Sequence, residues 1–369
     1  MESIQRWAVV ATVMEPTNLV LAFAAHHLGL GASEVHLFLD DPGDPCANML
    51  RRLPRCYITR CDDWYWSEVR NRDRPLLQSQ RQAANATWAY NRTEADWLLH
   101  IDADEFLQLD RPLPQILSRL GDEVDWLRIP NHERVWLAAE TPVTIFDGVF
   151  RSPRRMPDDV YRRTPRGNAR FLRRGLAGYP NGKSLSRTGR GLRIGAHAPH
   201  ANTTGNHALP AGRTSPDARL LHFDGLTPLH WALKTLRYAA VDDRNITELL
   251  HPERQAQVRH VRDACHDLQA VLAFHRDLFV LDPLEADALR RRGALFRSRI
   301  APQRDLAWLL PDHTPRFAPT DFDESLDSKG AVHLMQGDGG CLSPCPQPAV
   351  FGSALTAPTP PPGTIAARA

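Results

Sequence analysis

No apolar run in this sequence approaches the roughly 18 to 20 residues needed to cross a bilayer. The longest candidates, residues 7–14 and 19–25, are short and are separated by Glu15 and Asn18. Before the first of them stand Glu2 and only Arg6, with no longer apolar region and no small-residue cleavage site, so a secreted chain is not expected. The Asn-x-Ser/Thr patterns at Asn85, Asn91, Asn202 and Asn245 are then chance matches. Cysteine is sparse: six in 369 residues, at positions 46, 56, 61, 265, 341 and 345, with no C-x-x-C pair and no metal-type histidine spacing beside them. That excludes a disulfide scaffold and a zinc ribbon, and suits reduced thiols packed inside a cytoplasmic protein. An excess of one charge is lacking too, since 45 basic residues stand against 43 acidic ones. The chain as a whole thus makes no electrostatic commitment to nucleic acid or membrane.

What is present is globular composition, with 42% hydrophobic and 24% charged residues. The first 130 residues alternate strand and helix patterns. Trp7–Val13 is a β-branched apolar run, and Thr17 can cap a helix carrying Leu19, Val20, Phe23, Ala24 and Leu28. Glu34–Leu39, residues 56–59, residues 96–101 and Trp126–Ile129 read as further strands, with a long amphipathic helix over residues 75–90. Such alternation predicts an α/β fold with a mostly parallel sheet and helices on both faces.

Residues 151–193 differ, with twelve arginines and Lys183 against Asp158 and Asp159, an excess of eleven positive charges. Glycines and prolines break this stretch into loops and short strands, either a solvated surface or an anion-binding rim. Residues 230–241, 253–274 and 284–296 have helical spacing. Beyond Pro311, ten prolines and six glycines in 59 residues predict a largely disordered tail. The expected organisation is a catalytic domain over residues 1–240 with an insert at 151–193, a helical extension at 241–310, and a tail at 311–369.

The sharpest chemical signal is WLLHIDADEFL at residues 97–107. An apolar strand delivers Asp102 and Asp104 at its C-terminal end, where open α/β sheets place their ligands. If the chain stays extended, residues i and i+2 share a side, so both carboxylates converge on one cation. Hard oxygen ligands suit Mg²⁺ or Mn²⁺, and such an ion can bridge two phosphates.

In these residues the sequence resembles the glycosyltransferases of GT-A fold, in particular the bacterial family-2-like group marked by an apolar strand followed by D-x-D-E-F. Here that motif is Asp102-Ala103-Asp104-Glu105-Phe106. Gln80, Ala83 and Ala84 upstream extend the resemblance. Downstream, Gly182 to Arg187 with His197 and His200 resembles the family's lysine segment, and Leu221-His222-Phe223 with Lys234 its H-Y segment. The likeness spans about residues 7–240. Val13-Met14-Glu15 keeps only the acid of the family's Lys-Asn-Glu, and Phe223 replaces its tyrosine.

The resemblance implies a Rossmann-like GT-A sheet and a Mn²⁺- or Mg²⁺-dependent transfer of sugar from a nucleotide-sugar donor to a glycan or lipid-linked acceptor, as in cell-envelope polysaccharide or glycolipid synthesis. Asp102, Asp104 and His222 are the expected metal ligands, with His197 and His200 competing for the third place. Thr12, Glu15, Asp40, Asp102 and Lys183 are the expected nucleotide contacts, Arg187 and Arg193 standing beside Lys183 as phosphate-binding candidates. Glu133 is the first candidate for a base in an inverting reaction, with Glu140 and Asp147 as rivals. Each has a plainer reading as a cap, turn, core or surface residue. The basic rim is expected to bring a peripheral enzyme to anionic lipid. Two other classes compete: a D-x-D phosphotransferase or phosphatase, which normally carries its motif near the N-terminus, and a polyanion-binding protein using the arginine-rich segment. The latter lacks the aromatic interleaving of a nucleic-acid binder, so nucleic acid is not an expected partner. Nothing in the pattern encodes the oligomeric state.

Overall fold

The computed structural model describes residues 4–153, 168–201, 210–239, 246–247 and 250–327. The expectation of a disordered tail therefore lies outside the described residues from position 328 onward, as do residues 154–167 of the arginine-rich insert.

The strands are β1 (Trp7–Val13), β2 (Glu34–Leu39), β3 (Cys56–Arg60), β4 (Trp97–His100), β5 (Glu105–Leu109), β6 (Trp126–Ile129), β7 (Asn131–Leu137), β8 (Val149–Arg151), β9 (Lys183–Arg187), β10 (Leu192–Ile194), β11 (Pro199–Ala201), β12 (Gly212–Thr214), β13 (Ala218–His222), β14 (Val280–Leu281) and β15 (Leu295–Phe296). The α-helices are α1 (Thr17–Gly29), α2 (Cys46–Leu50), α3 (Gln78–Tyr90), α4 (Leu113–Leu117), α5 (Pro228–Ala239), α6 (Pro252–Asp263), α7 (Leu268–Phe279), α8 (Pro283–Arg291), α9 (Pro302–Leu309) and α10 (Pro319–Asp327).

The larger sheet has the order β12-β6-β9-β4-β1-β2-β3. Its strands β3, β2, β1 and β4 run parallel, β9 runs against them, and β6 and β12 resume the first direction. The expected α/β class with a mostly parallel sheet and flanking helices is the one this chain adopts. β1 shows why. All seven of its residues are buried, and alternate side chains enter different cores. Trp7, Val9, Ala11 and Val13 pack with α1 on one face. Ala8 and Val10 pack with Ala84, Ala86 and Ala89 of α3 on the other. A strand covered on both sides must be apolar throughout.

A second sheet, β15-β8-β7-β13-β5 with β14 beside β7, was not anticipated. It is mixed, with β7 parallel to β13 and β14 and the other pairs antiparallel, and it begins where β4 ends: the chain turns at residues 101–104 and leaves the first sheet as β5. The D-x-D segment is therefore the junction between two sheets.

Thr17 is the first residue of α1 rather than its cap, because Pro16 occupies the cap position and no side chain caps there. The single helix expected at 253–274 is two, since Asp267 accepts a hydrogen bond from the Ala270 amide and starts α7 afresh. The expected tail begins too early. Phe317, Phe322 and Leu326 are almost wholly buried in the main core, so α10 is a packed element despite its proline-rich neighbourhood. Among the described residues no helix is long and apolar enough to cross a membrane.

Candidate active site at the sheet junction

Three strands bring the candidate residues together at the C-terminal lip of the larger sheet. β4 runs parallel to β1 and stops at His100, which delivers Asp102 and Asp104 beside the ends of β1 and β2. β9 is antiparallel to β4, so its first residue, Lys183, starts at the same edge. β13 is antiparallel to β5 with His222 opposite Glu105, which sets His222 next to the D-x-D turn.

The two aspartates do not share a side. Residues 103–104 form a turn, and the Glu105 amide donates to the Asp102 carbonyl at 3.1 Å, so the extended alternation assumed from sequence is lost. Asp102 accepts from Gln82 Nε2 at 2.6 Å through one oxygen and from Lys183 Nζ at 2.6 Å through the other. Asp104 accepts from Lys234 Nζ at 2.5 Å and lies 3.9 Å from His222 Nε2. Among the described residues, Asp104, His222 and Asp224 each offer one ligand atom within 4.8 Å of the others, and all three are buried. Of the expected ligand set the structure thus brings together Asp104 and His222, sets Asp102 outside that group, and adds Asp224.

Two ammoniums, Lys183 buried and Lys234 partly exposed, balance this acidic centre. Lys183 is only 2% exposed. It reaches Asp102 and lies 3.5 Å from Glu105, and it sits 5.2 Å from the Tyr179 ring. Burial works to discharge it, but Asp102 and Glu105 overcome this and raise its pKa. For Asp102 burial works against charge as well, yet Lys183 holds it well below the usual carboxylate range. Burial pushes Glu105 well above that range, with Asp102 and Asp104 adding repulsion that Lys183 only partly offsets. Lys234 is raised by Asp104 and Asp224 against the effect of burial. Asp224 also meets Arg254 Nη1 at 3.2 Å, and Arg254 and Lys234 lower it despite burial.

Asp224 and Lys234 owe their positions to the turn between β13 and α5. Gly225 has φ +84°, and a Cβ there would lie 2.3 Å from the Trp231 Cβ, so only glycine fits. Thr227 Oγ accepts from the His230 amide at 3.1 Å and fixes the first turn of α5. The carbonyls of Gly225 and Leu226 accept from the Arg134 guanidinium, itself 1% exposed.

Thr12, Glu15 and Asp40 lie at or just beyond the ends of β1 and β2 on the same lip, with protein partners of their own. Thr12 Oγ1 accepts from Asn85 Nδ2 at 3.0 Å. Glu15 pairs with His230 at 3.0 Å; burial opposes its ionisation, and the His230 pairing still brings its pKa down to about 2. Asp40 is held by Arg81, with 2.7 Å contacts to both oxygens, and by Arg74 at 3.1 Å. Glu133 is fully buried: it accepts from Arg151, from the Ala177 amide at 3.0 Å and from the Gly178 amide at 2.5 Å. These contacts and its full burial make Glu133 an anchor for the backbone of residues 177–178, with no carboxylate oxygen open to solvent. Its rivals are also engaged: Asp147 accepts from the Val143 and Thr144 amides, and Glu140 from Arg297. His197 lies beside the centre, its Nδ1 3.1 Å from the Gly182 carbonyl and its ring 4.4 Å from Tyr179, whereas His200 is exposed on β11.

Sequence reasoning missed Gln82 and Asp224. For Asp224 a signal existed: H-x-D at residues 222–224 ends a strand as D-x-D at 102–104 does. Gln82 had none, because a lone glutamine on a helix face says nothing about what it meets.

No protein-family model matches the chain, and no curated protein matches it. Among solved structures, HddC from Yersinia pseudotuberculosis is 11% identical over 38% of this chain and 67% of its own, with a TM-score of 0.26. A fragment of S. aureus TarS is 11% identical over 74% of this chain and 73% of its own, with a TM-score of 0.30. The same fragment in complex with UDP is 14% identical over 39% and 40%, with a TM-score of 0.25. Likeness at this level carries no argument about what this chain does.

Proposed function

We propose that the chain is a GT-A-type glycosyltransferase that uses a nucleotide-sugar donor and a divalent cation, Mn²⁺ or Mg²⁺. The observation that carries this reading is the group Asp104, His222 and Asp224 at the C-terminal lip of a mostly parallel sheet, with the ammoniums of Lys183 and Lys234 beside it. The residues fit such an ion: two carboxylates and an imidazole form a hard, mixed oxygen and nitrogen donor set. The Nε2 of His222 is the ring nitrogen near Asp104, while its buried Nδ1 lies on the Gly178 side without a hydrogen-bond partner. A bound ion would supply positive charge against a leaving diphosphate.

The chain's own groups do the remaining work. Lys183 and Lys234 neutralise oxygens of the diphosphate, which needs fixed positive charge most as the glycosidic bond breaks. Asp102, held by Gln82 and Lys183, serves the nucleotide side of the site together with Thr12, Glu15 and Asp40. Glu133 holds the backbone of residues 177–178, and with it Tyr179, against His222. The acceptor is a glycan or lipid-linked hydroxyl compound, and the arginine-rich stretch over residues 151–193 brings a peripheral enzyme to anionic lipid.

Calorimetric titration of nucleoside diphosphates with and without Mn²⁺, repeated on Asp104→Ala, tests the reading. One nucleotide is expected to bind in a metal-dependent way, with binding lost in the variant. Absence of binding by every nucleotide in Mn²⁺ overturns it. Release of inorganic phosphate rather than nucleoside diphosphate during turnover would favour the phosphotransferase alternative.

A further inference from the structure

The metal reading leaves one feature of the centre unused, and the inference drawn from it rests on that reading. Lys234 does not merely stand near the three ligands. Its Nζ lies 2.5 Å from Asp104 Oδ2 and 3.5 Å from Asp224 Oδ1, so it bridges the two carboxylates of the group. An ion held by Asp104 and Asp224 would draw on these same two carboxylates. An ammonium and a divalent ion cannot both make contact there, because like charges a few ångströms apart in a buried site repel strongly.

The rest of the group is anchored without Lys234. The second oxygen of Asp224 meets Arg254, and Arg254 in turn donates to Gln257 at 2.8 Å on the same helix. His222 is fixed by β13 between β5 and β7, only 5% exposed, with its Nδ1 unpartnered. Lys234 is the movable member. It has a flexible four-carbon stem, and its side chain keeps 19% exposure, against 6% for Asp104 and 4% for Asp224.

We propose that Lys234 is an internal competitor of the metal ion: its ammonium fills the centre in the ion-free protein and must withdraw before the ion can be held. A diphosphate placed at the same lip gives the withdrawn ammonium a new anion, so nucleotide and metal bind cooperatively. Metal alone binds weakly. Until the donor arrives, the buried carboxylates stay neutralised and the centre stays closed to stray cations.

The test is a Mn²⁺ titration of the full chain, read by the electron paramagnetic resonance signal of free Mn²⁺, with and without UDP and GDP in turn. Lys234→Met and Lys234→Gln remove the charge at similar length, and thermal melts confirm that they fold. Both are expected to bind Mn²⁺ without nucleotide about ten-fold more tightly than wild type, or better, and to gain less from nucleotide than wild type does. Lys234→Arg keeps the charge and is expected to gain nothing. Affinity in the neutral variants equal to or weaker than wild type overturns the competition, as does tighter binding by Lys234→Arg. Wild-type Mn²⁺ binding that appears with nucleotide and vanishes in Asp104→Ala keeps the metal site standing even then. Loss of Mn²⁺ binding in every protein, nucleotide present, overturns the site itself and the competition with it.

Discussion

Replacing Glu133 by glutamine separates two roles that the sequence alone could not. Glu133 lies opposite Arg151 across β7 and β8, and opposite His222 across β7 and β13. One of its oxygens takes Arg151 and the Ala177 amide, and the other takes the Gly178 amide. Arg151 is itself only 4% exposed. Glutamine keeps the shape and one acceptor. It loses the charge that neutralises Arg151, and it turns an NH₂ group toward either the guanidinium or the Gly178 amide. Stranding one partner of a buried pair costs about 3–5 kcal/mol, and a buried amide without an acceptor adds about 1–3 kcal/mol. Partial relaxation of the loop lowers the sum, so a loss of about 4 kcal/mol is expected.

Urea denaturation of wild type, Glu133→Gln, Arg151→Met and the double variant measures this. The two losses are expected to overlap, so that the double variant loses less than their sum by about 2 kcal/mol. Turnover of Glu133→Gln should track its folded fraction and recover partly in the double variant, because removing Arg151 relieves the stranded charge. A catalytic base cannot be restored that way. If Glu133→Gln stays within about 1 kcal/mol of wild-type stability while turnover disappears at every pH, Glu133 is the base and the anchoring argument is wrong.

Three further outcomes follow from the same geometry. Lys183→Met leaves Asp102 and Glu105 facing each other and should cost about 3 kcal/mol. The loss should be larger at pH 8 than at pH 5.5, because Lys183 is the cation that pulls the raised pKa of Glu105 down, and without it Glu105 is raised further and more stability is lost as pH climbs; equal losses at both values would contradict this. His100, lowered to about 4 chiefly by burial and then by Lys183, stays neutral in the folded chain while an unfolded imidazole titrates near 6.5. The unfolded state then binds the extra proton, so stability falls as pH drops from about 6.5 to about 4, by about 3 kcal/mol at the end. His100→Gln should flatten that part of the urea-midpoint profile, and an unchanged slope would assign it to other groups. Gly225→Ala meets a left-handed backbone and a contact with Trp231 at once; a loss of about 3 kcal/mol and weaker Mn²⁺ retention are expected, and wild-type values for both would show that the turn can open.

The parallel half of the fold was readable because burial on both faces leaves a mark on composition. A strand such as Trp7–Val13 has no polar residue facing water, and its neighbour Glu34–Leu39 was bounded by a clear turn. The second sheet was hidden for the opposite reason. Its strands are short, and their inward residues include Glu133, Arg134 and Arg151, charges whose partners lie far along the chain. An apolar-pattern reading treats such residues as surface. α10 was lost in the same way, since proline and glycine counts over the last 59 residues outweighed the three apolar side chains that tie it down.

The site follows the same division, and the division explains which expectations changed. Asp102 and Asp104 could be placed at the lip from sequence because the end of a parallel strand is a place that sequence can mark. Residues whose surroundings depend on distant partners could not. Asp40 carries its charge into a bidentate contact with Arg81, and Thr12 into a contact with Asn85, both on α3, dozens of positions away. The same blindness made Asp102 and Asp104 look like one pair. Extended spacing would join them, but a turn of two residues sends one carboxylate toward Lys183 and the other toward Lys234, and it is the second that meets His222 and Asp224. A motif therefore specifies which carboxylates reach the lip of the sheet; the cations waiting there decide what each carboxylate can hold.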